Sequence, residues 1–153
     1  MPDTPNHPVQ PFLDRWRHAG SSERANYALY LSELCDLLGV PRPMPASANH
    51  ATDDYVFERR VTHEYLDGAR TTNFIDLYRK GSFVLEAKQG AAVVAAEPFA
   101  LSAPLPTSKG IGTRGSTTWA TGMLKAKAQA ENYARDLPVD HGWPPFLIVV
   151  DVG

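Results

Sequence analysis

Residues 73–89, N-F-I-D-L-Y-R-K-G-S-F-V-L-E-A-K-Q, decide how the rest of the chain is read. Residues 74–78 and 83–88 are rich in aromatic and branched side chains, and Gly81 between them permits the positive φ of a tight hairpin. The stretch therefore predicts two antiparallel strands. Side chains alternate faces along a strand, so Glu86 and Lys88 share one face with Val84, and Phe83, Leu85 and Ala87 share the other. A carboxylate and an ammonium on a half-apolar strand must be paired, solvated or bound to something, because burying either alone is costly. Asp76, on the preceding strand, can supply a second carboxylate. Two carboxylates and a lysine at adjacent strand ends fit Mg2+-dependent phosphodiester hydrolysis, which needs oxygen ligands for the ion and a cation beside the attacking water. An ordinary solvated strand face fits them as well, and an Asp followed at a distance by Glu-x-Lys also arises by chance. The order of the surrounding elements weighs towards the site.

The chain has 153 residues, enough for one domain with a single core, and its 43% hydrophobic and 21% charged residues are ordinary globular composition. No apolar run approaches the roughly 20 residues that a bilayer span needs, and the N-terminus lacks a basic-then-apolar signal pattern. Cys35 is the single cysteine, which leaves neither a disulfide framework nor a thiolate zinc site and suggests a reduced, cytoplasmic setting. Fifteen basic against seventeen acidic residues give a net charge of −2, which argues against a strong free-standing nucleic-acid binder. The distribution is less even than the sum. Between Glu97 and Glu131 there is no acidic residue, yet Lys109, Arg114, Lys125 and Lys127 all fall there.

Residues 1–11 are polar and contain four prolines, and read as a tail. Residues 12–19 predict a short helix with Phe12 and Trp16 one turn apart, and Ser21 or Ser22 caps a longer helix to about Leu38. Tyr27, Tyr30, Leu31, Leu34, Leu37 and Leu38 form its apolar stripe, whose expected role is core. His50, Asp53 and Asp54 read as the solvated end of a Pro- and Asn-containing loop. Residues 55–61 alternate as a strand, and Asp67-Gly68 signals a hairpin into residues 71–78. Ser116 caps a second long helix to about Asp136, with Trp119, Met123, Ala126, Ala130, Tyr133 and Leu137 as its stripe. Residues 146–152, F-L-I-V-V-D-V, read as a continuous apolar strand of the kind buried inside a sheet, and its place at the end of the chain suggests the front part of a longer protein. Gly110-Ile-Gly-Thr-Arg-Gly115 matches the dinucleotide fingerprint in letters only, since it follows a proline-rich loop and lacks the strand-borne acid downstream.

This order of helix, three antiparallel strands, helix and strand, with Asp76 on the second strand and Glu86-Ala87-Lys88 on the third, resembles the PD-(D/E)xK nuclease fold of restriction enzymes and repair exonucleases. Gln129-Ala-Glu-Asn-Tyr133 resembles the Q-x-x-x-Y motif of its RecB-like branch. More closely, E-R-A-N-Y-A-L-Y-L-S-E-L-C-D-L-L-G-V-P-R-P, D-D-Y-V-F-E-R, F-V-L-E-A-K-Q-G and W-P-P-F-L-I-V-V-D-V-G look like the N-terminal nuclease domain of MmeI-like single-chain restriction and modification proteins. The likeness covers roughly residues 12–153. It implies an α/β PD-(D/E)xK domain, a metal-dependent deoxyribonuclease acting on double-stranded DNA, with self-association on the DNA. Asp76 and Glu86, helped by the Ala87 carbonyl, would bind Mg2+, and Lys88 would orient or deprotonate the attacking water. Gln129 and Tyr133 would lie near DNA and metal, and Lys125 and Arg114 of the basic segment are supporting or DNA-proximal candidates. Glu23 is either the extra helical acid that some members use or an N-terminal charge satisfying the helix dipole. Family members continue into an S-adenosylmethionine-dependent methyltransferase and a target-recognition domain, neither of which lies in these residues. The family's proline before the aspartate is replaced here by Ile75. The competing expectation is a nuclease-like module that binds DNA or protein without cutting, its Asp76, Glu86 and Lys88 forming a structural ion pair.

Overall fold

Two hairpins fold the middle of the chain into a three-strand meander. Gly68 and Gly81 both adopt positive φ, 84° and 67°, at the turns between β1 (Tyr55–Glu64), β2 (Arg70–Arg79) and β3 (Phe83–Lys88). The computed structural model describes residues 9–17, 19, 23–91 and 110–152. Expectations for residues 1–8, for a cap at Ser21 or Ser22 and for Lys109 fall outside them. Helices α1 (Val9–Trp16) and α2 (Glu23–Leu38) precede the meander, and α3 (Thr117–Arg135) and β4 (Phe146–Asp151) follow it. The sheet order is β1-β2-β3-β4, with β1, β2 and β3 antiparallel and β4 parallel to β3. The predicted sequence of helix, three antiparallel strands, helix and strand is the architecture found.

The sheet is covered on both faces. On one, Ala130, Ala134 and Leu137 of the α3 region pack on Val61, Ile75, Tyr78 and Val84. On the other, Tyr27 and Leu31 of α2 pack on Leu77, Leu85, Ala87 and Val152. Small residues on α3 allow its backbone to approach the strands closely, and the Ser116 side chain caps its first turn by accepting from the Trp119 N–H at 3.1 Å. β3 keeps the predicted alternation, Val84 towards α3 and Leu85 and Ala87 towards α2.

Alternation fails at one row. Phe57 and Leu77, paired across β1 and β2, face α2, whereas the next pair, Arg59 and Ile75, includes Ile75 packed on the α3 side. Between the pairs stand Glu58 and Asp76. Glu58 has φ 52°, the one left-handed residue other than glycine among those described, and it inverts the pleat there.

Four expectations are corrected. Helix α1 begins at Val9 within the expected tail and ends at Trp16, with Pro11 in its first turn, where the missing N–H has no intrahelical partner to lose. Leu38 lies exposed past the α2 stripe while Cys35 is buried, because the face towards the sheet runs through Tyr27, Leu31 and Cys35. Asp53 is buried, not solvated, and accepts from the Ser47 N–H and hydroxyl at 2.9 and 2.7 Å. Strand β4 sits at the sheet edge with Phe146 65% exposed, since among the described residues no further strand covers its outer side. Among the described residues no helix is long and apolar enough to cross a membrane.

Candidate active site

The β2–β3 ladder pairs Arg79 with Phe83, Tyr78 with Val84 and Leu77 with Leu85, and then stops. Asp76 and Glu86 would form the next pair. Instead the Asp76 side chain takes over, its Oδ2 accepting the Ala87 N–H at 2.7 Å. This fixes the Asp76 carboxylate against the backbone segment that joins Glu86 to Lys88. Burial pushes the Asp76 carboxyl above its ordinary value, while the Ala87 N–H and the Lys88 charge pull it down and Glu58 pushes it up.

Glu86 is 1% exposed, an extreme position for a carboxylate. Its Oε2 lies 3.6 Å from Lys88 Nζ, and its Oε1 is buried without a hydrogen-bond partner. Burial, followed by the neighbouring Asp76 charge, pushes its pKa up to about 8 against the opposing pull of Lys88. Lys88 keeps 17% side-chain exposure, so the ammonium reaches the edge of the site while the carboxylate stays inside. The expected trio is thus brought together on adjacent strands.

From α3, Gln129 Nε2 donates to the Tyr133 hydroxyl at 2.8 Å, and Tyr133 packs against the α3-side core. Burial raises the Tyr133 hydroxyl, the Gln129 bond lowers it, and the charges of Glu86 and Asp76 raise it further. Tyr133 therefore stands within electrostatic reach of both carboxylates. Residues 8–152 match the family described as MmeI, N-terminal domain.

The chain belongs to that family.

Membership ties the chain to restriction and modification proteins, and its mixed sheet flanked by helices is compatible with a nuclease-like core. No curated protein and no solved structure matches the chain.

The remaining residues singled out in the sequence divide. Arg114 is turned inward: its guanidinium donates to Asp151 at 2.7 and 2.9 Å, and the same carboxylate accepts from the Gly90 N–H and Trp119 Nε1, each at 2.8 Å. Burial pushes Asp151 up, but Arg114, Gly90 and Trp119 together outweigh it and hold the carboxyl below its ordinary value. Arg114 thus clasps the end of β4, and its backbone N–H is held by the Ala91 carbonyl. Lys127 pairs with Glu131 at 3.7 Å, and Lys125 is exposed on α3. Glu23 opens α2, and its side chain lies outside the described residues.

Sequence reasoning missed two residues. Glu58 and Asp76 are the two residues left between the Phe57–Leu77 and Arg59–Ile75 pairs of the β1–β2 register, and the Tyr27 hydroxyl of α2 donates to the Glu58 carboxylate. The available signal was an acid set between apolar Tyr55-Val56-Phe57 and basic Arg59-Arg60, as far from the Asp67 turn on one side as Asp76 is on the other. Among the described residues no three carboxylate, imidazole or thiolate groups converge closely enough to hold a metal by direct ligation alone.

Proposed function

We propose that this domain hydrolyses DNA phosphodiester bonds with Mg2+ at Asp76, Glu86 and Lys88, as the nuclease part of a longer restriction and modification protein. The observation that carries the reading is Glu86: a carboxylate 1% exposed, one oxygen without a partner, beside a second carboxylate and an ammonium. A buried acid in this state is costly unless something binds it, and a hard divalent cation satisfies oxygen donors of this kind. Asp76 and Glu86, with the Ala87 carbonyl, are the residues that would hold the ion, the remaining positions being left to water and DNA phosphate. Bound there, a divalent cation supplies charge stabilisation at the phosphoryl oxygens and acidifies a coordinated water. Lys88, tethered to Glu86 at the site edge, orients the attacking water and offsets the charge that develops on the phosphate. Gln129 and Tyr133, linked on α3, hold the DNA strand beside the carboxylates.

One observation favours the module that does not cut, the 3.6 Å approach of Lys88 to Glu86, which resembles a structural ion pair. The unpartnered Glu86 oxygen argues against it, since such a pair is stable only when its remaining lone pairs are satisfied. A nicking and cleavage assay on the intact protein with Mg2+, at several protein concentrations, separates the two. Lys88→Ala should lower cleavage by a factor of about 100 or more while sparing DNA binding and methylation. A duplex cut needs two strand scissions, so wild-type cutting should rise more steeply than linearly with concentration as two copies meet on DNA. Undiminished cleavage by the variant would remove Lys88 from the chemistry, and a wild type that methylates without ever cutting would favour the non-enzymatic module.

A further inference from the structure

In the sheet register Glu58 of β1, Asp76 of β2 and Glu86 of β3 stand in one cross-strand row. Paired residues flank Glu58 and Asp76 on both sides, Phe57 with Leu77 and Arg59 with Ile75, and Glu86 follows the last β2–β3 pair, Leu77 with Leu85. Neighbouring acids repel one another unless a cation or a proton lies among them, and here the charge of Glu58 bears on Asp76 as that of Asp76 bears on Glu86. Two features set Glu58 apart from a solvated strand residue. Its backbone takes the left-handed conformation that inverts the pleat, and its carboxylate is held by the hydroxyl of Tyr27, a residue 6% exposed whose ring meets Phe57 edge-on at 6.0 Å between centroids. The row also contains the buried, unpartnered Oε1 of Glu86.

We infer that Glu58 is the third acid of the cation site, a positioning residue that Tyr27 orients and that accepts hydrogen bonds from the hydration water of the ion held by Asp76 and Glu86. The inference rests on the nuclease reading above and adds an outer shell to it. Among the described residues no three acids converge to direct ligating distance, so the role assigned to Glu58 is one through water and not direct ligation. Mg2+ keeps several of its waters in protein sites, and carboxylates that accept from them fix the orientation of the shell. Tyr27 gives Glu58 its second partner, as such outer-shell acids usually have. Through Tyr27 the shell is anchored in α2, whereas its inner ligands sit on β2 and β3.

The test is titration of the 153-residue chain with Mn2+ alone, followed by electron paramagnetic resonance, beside thermal unfolding without metal. Wild type should bind Mn2+, and Glu86→Gln should lose the site. Glu58→Gln retains an oxygen that accepts from Tyr27 and removes only the charge, so it should weaken Mn2+ binding about ten-fold with an unchanged unfolding midpoint. Tyr27→Phe should weaken it in the same direction by a smaller factor. If Glu58 serves only to anchor Tyr27, Glu58→Gln will bind Mn2+ as tightly as wild type, and that result overturns the inference while leaving Asp76 and Glu86 as ligands. Should Glu58→Gln fail to fold, unchanged Mn2+ affinity in Tyr27→Phe overturns it equally. Binding by Glu86→Gln at wild-type strength, or none by wild type, would remove the cation site itself and this shell with it.

Discussion

A carboxylate that holds its proton near neutrality makes the domain sensitive to pH in a direction opposite to that of a salt-bridged acid. Glu86 has its pKa pushed up to about 8 in the folded chain, against an ordinary value of 4.5. Between those values the folded state binds a proton that the unfolded state has released. The stabilisation is therefore complete below the unfolded value and is lost as pH rises through the folded one, with a slope of at most roughly 1.4 kcal/mol per pH unit. Asp76, also raised, acts in the same direction. Urea unfolding of the metal-free chain from about pH 5 to about pH 8 should show falling stability, and Glu86→Gln should flatten the slope. Mn2+ affinity should climb over the same range, because the ion competes with the proton. Asp76, Glu86 and Lys88 were legible in the sequence because strict alternation along β3 and a glycine turn before it fix which side chains meet. Glu58 was not, since alternation assumes a regular pleat and one left-handed residue breaks it. The partner of Arg114 was hidden for a different reason. A run of basic residues without acids looks free along the chain, but its neutralising partner Asp151 stands 37 positions away.

Among elements, β4 shows where a hydrophobic run misleads. Six apolar residues interrupted only by Asp151 suit a strand with neighbours on both sides, yet among the described residues β4 has β3 on one side only. Its run is explained by faces, not edges: Leu147 packs on the α3 side and Val150 on the α2 side, with Val152 buried below α2. The Asp151 clasp holds this marginal strand in place. Asp151→Ala leaves Arg114, Trp119 and the Gly90 N–H without their acceptor at once, and should cost about 2 kcal/mol or more, read as a lower denaturant midpoint with an unchanged slope. Arg114→Ala should share most of that loss, the outcome expected of a structural arginine and not of one that only touches DNA. Helices α2 and α3 were legible from their apolar stripes, though the stripe alone did not reveal that the fully buried positions of α3 are all alanines. Helix packing distance is set by the partner surface, which one helix's own sequence does not contain.

For the molecule as a whole, a net charge of −2 with two of the basic segment's side chains already paired leaves little electrostatic attraction for a polyanion. Affinity for DNA in the proposed reading must come largely from elsewhere in the longer protein, which leaves this domain to supply chemistry. Its tolerance of change should differ between halves. Ala130→Leu, overpacking a fully buried position of α3, should cost roughly 1–3 kcal/mol of stability. The kinetic form of that loss follows from the meander. Glu58, Asp76, Glu86 and Lys88 all come from one run of chain closed by two short turns, whereas α3 and the parallel β3–β4 pairing join segments far apart in sequence. Short-range contacts form before long-range ones, so the cross-strand row of acids should assemble early and the α3 and β4 layer should dock onto it afterwards. In stopped-flow refolding and unfolding, Ala130→Leu should accordingly speed unfolding and leave the folding limb nearly unmoved. The mutually repelling acids are then gathered before the layer that buries them arrives, so a divalent cation present during refolding should hasten an early step rather than merely stabilise the end state.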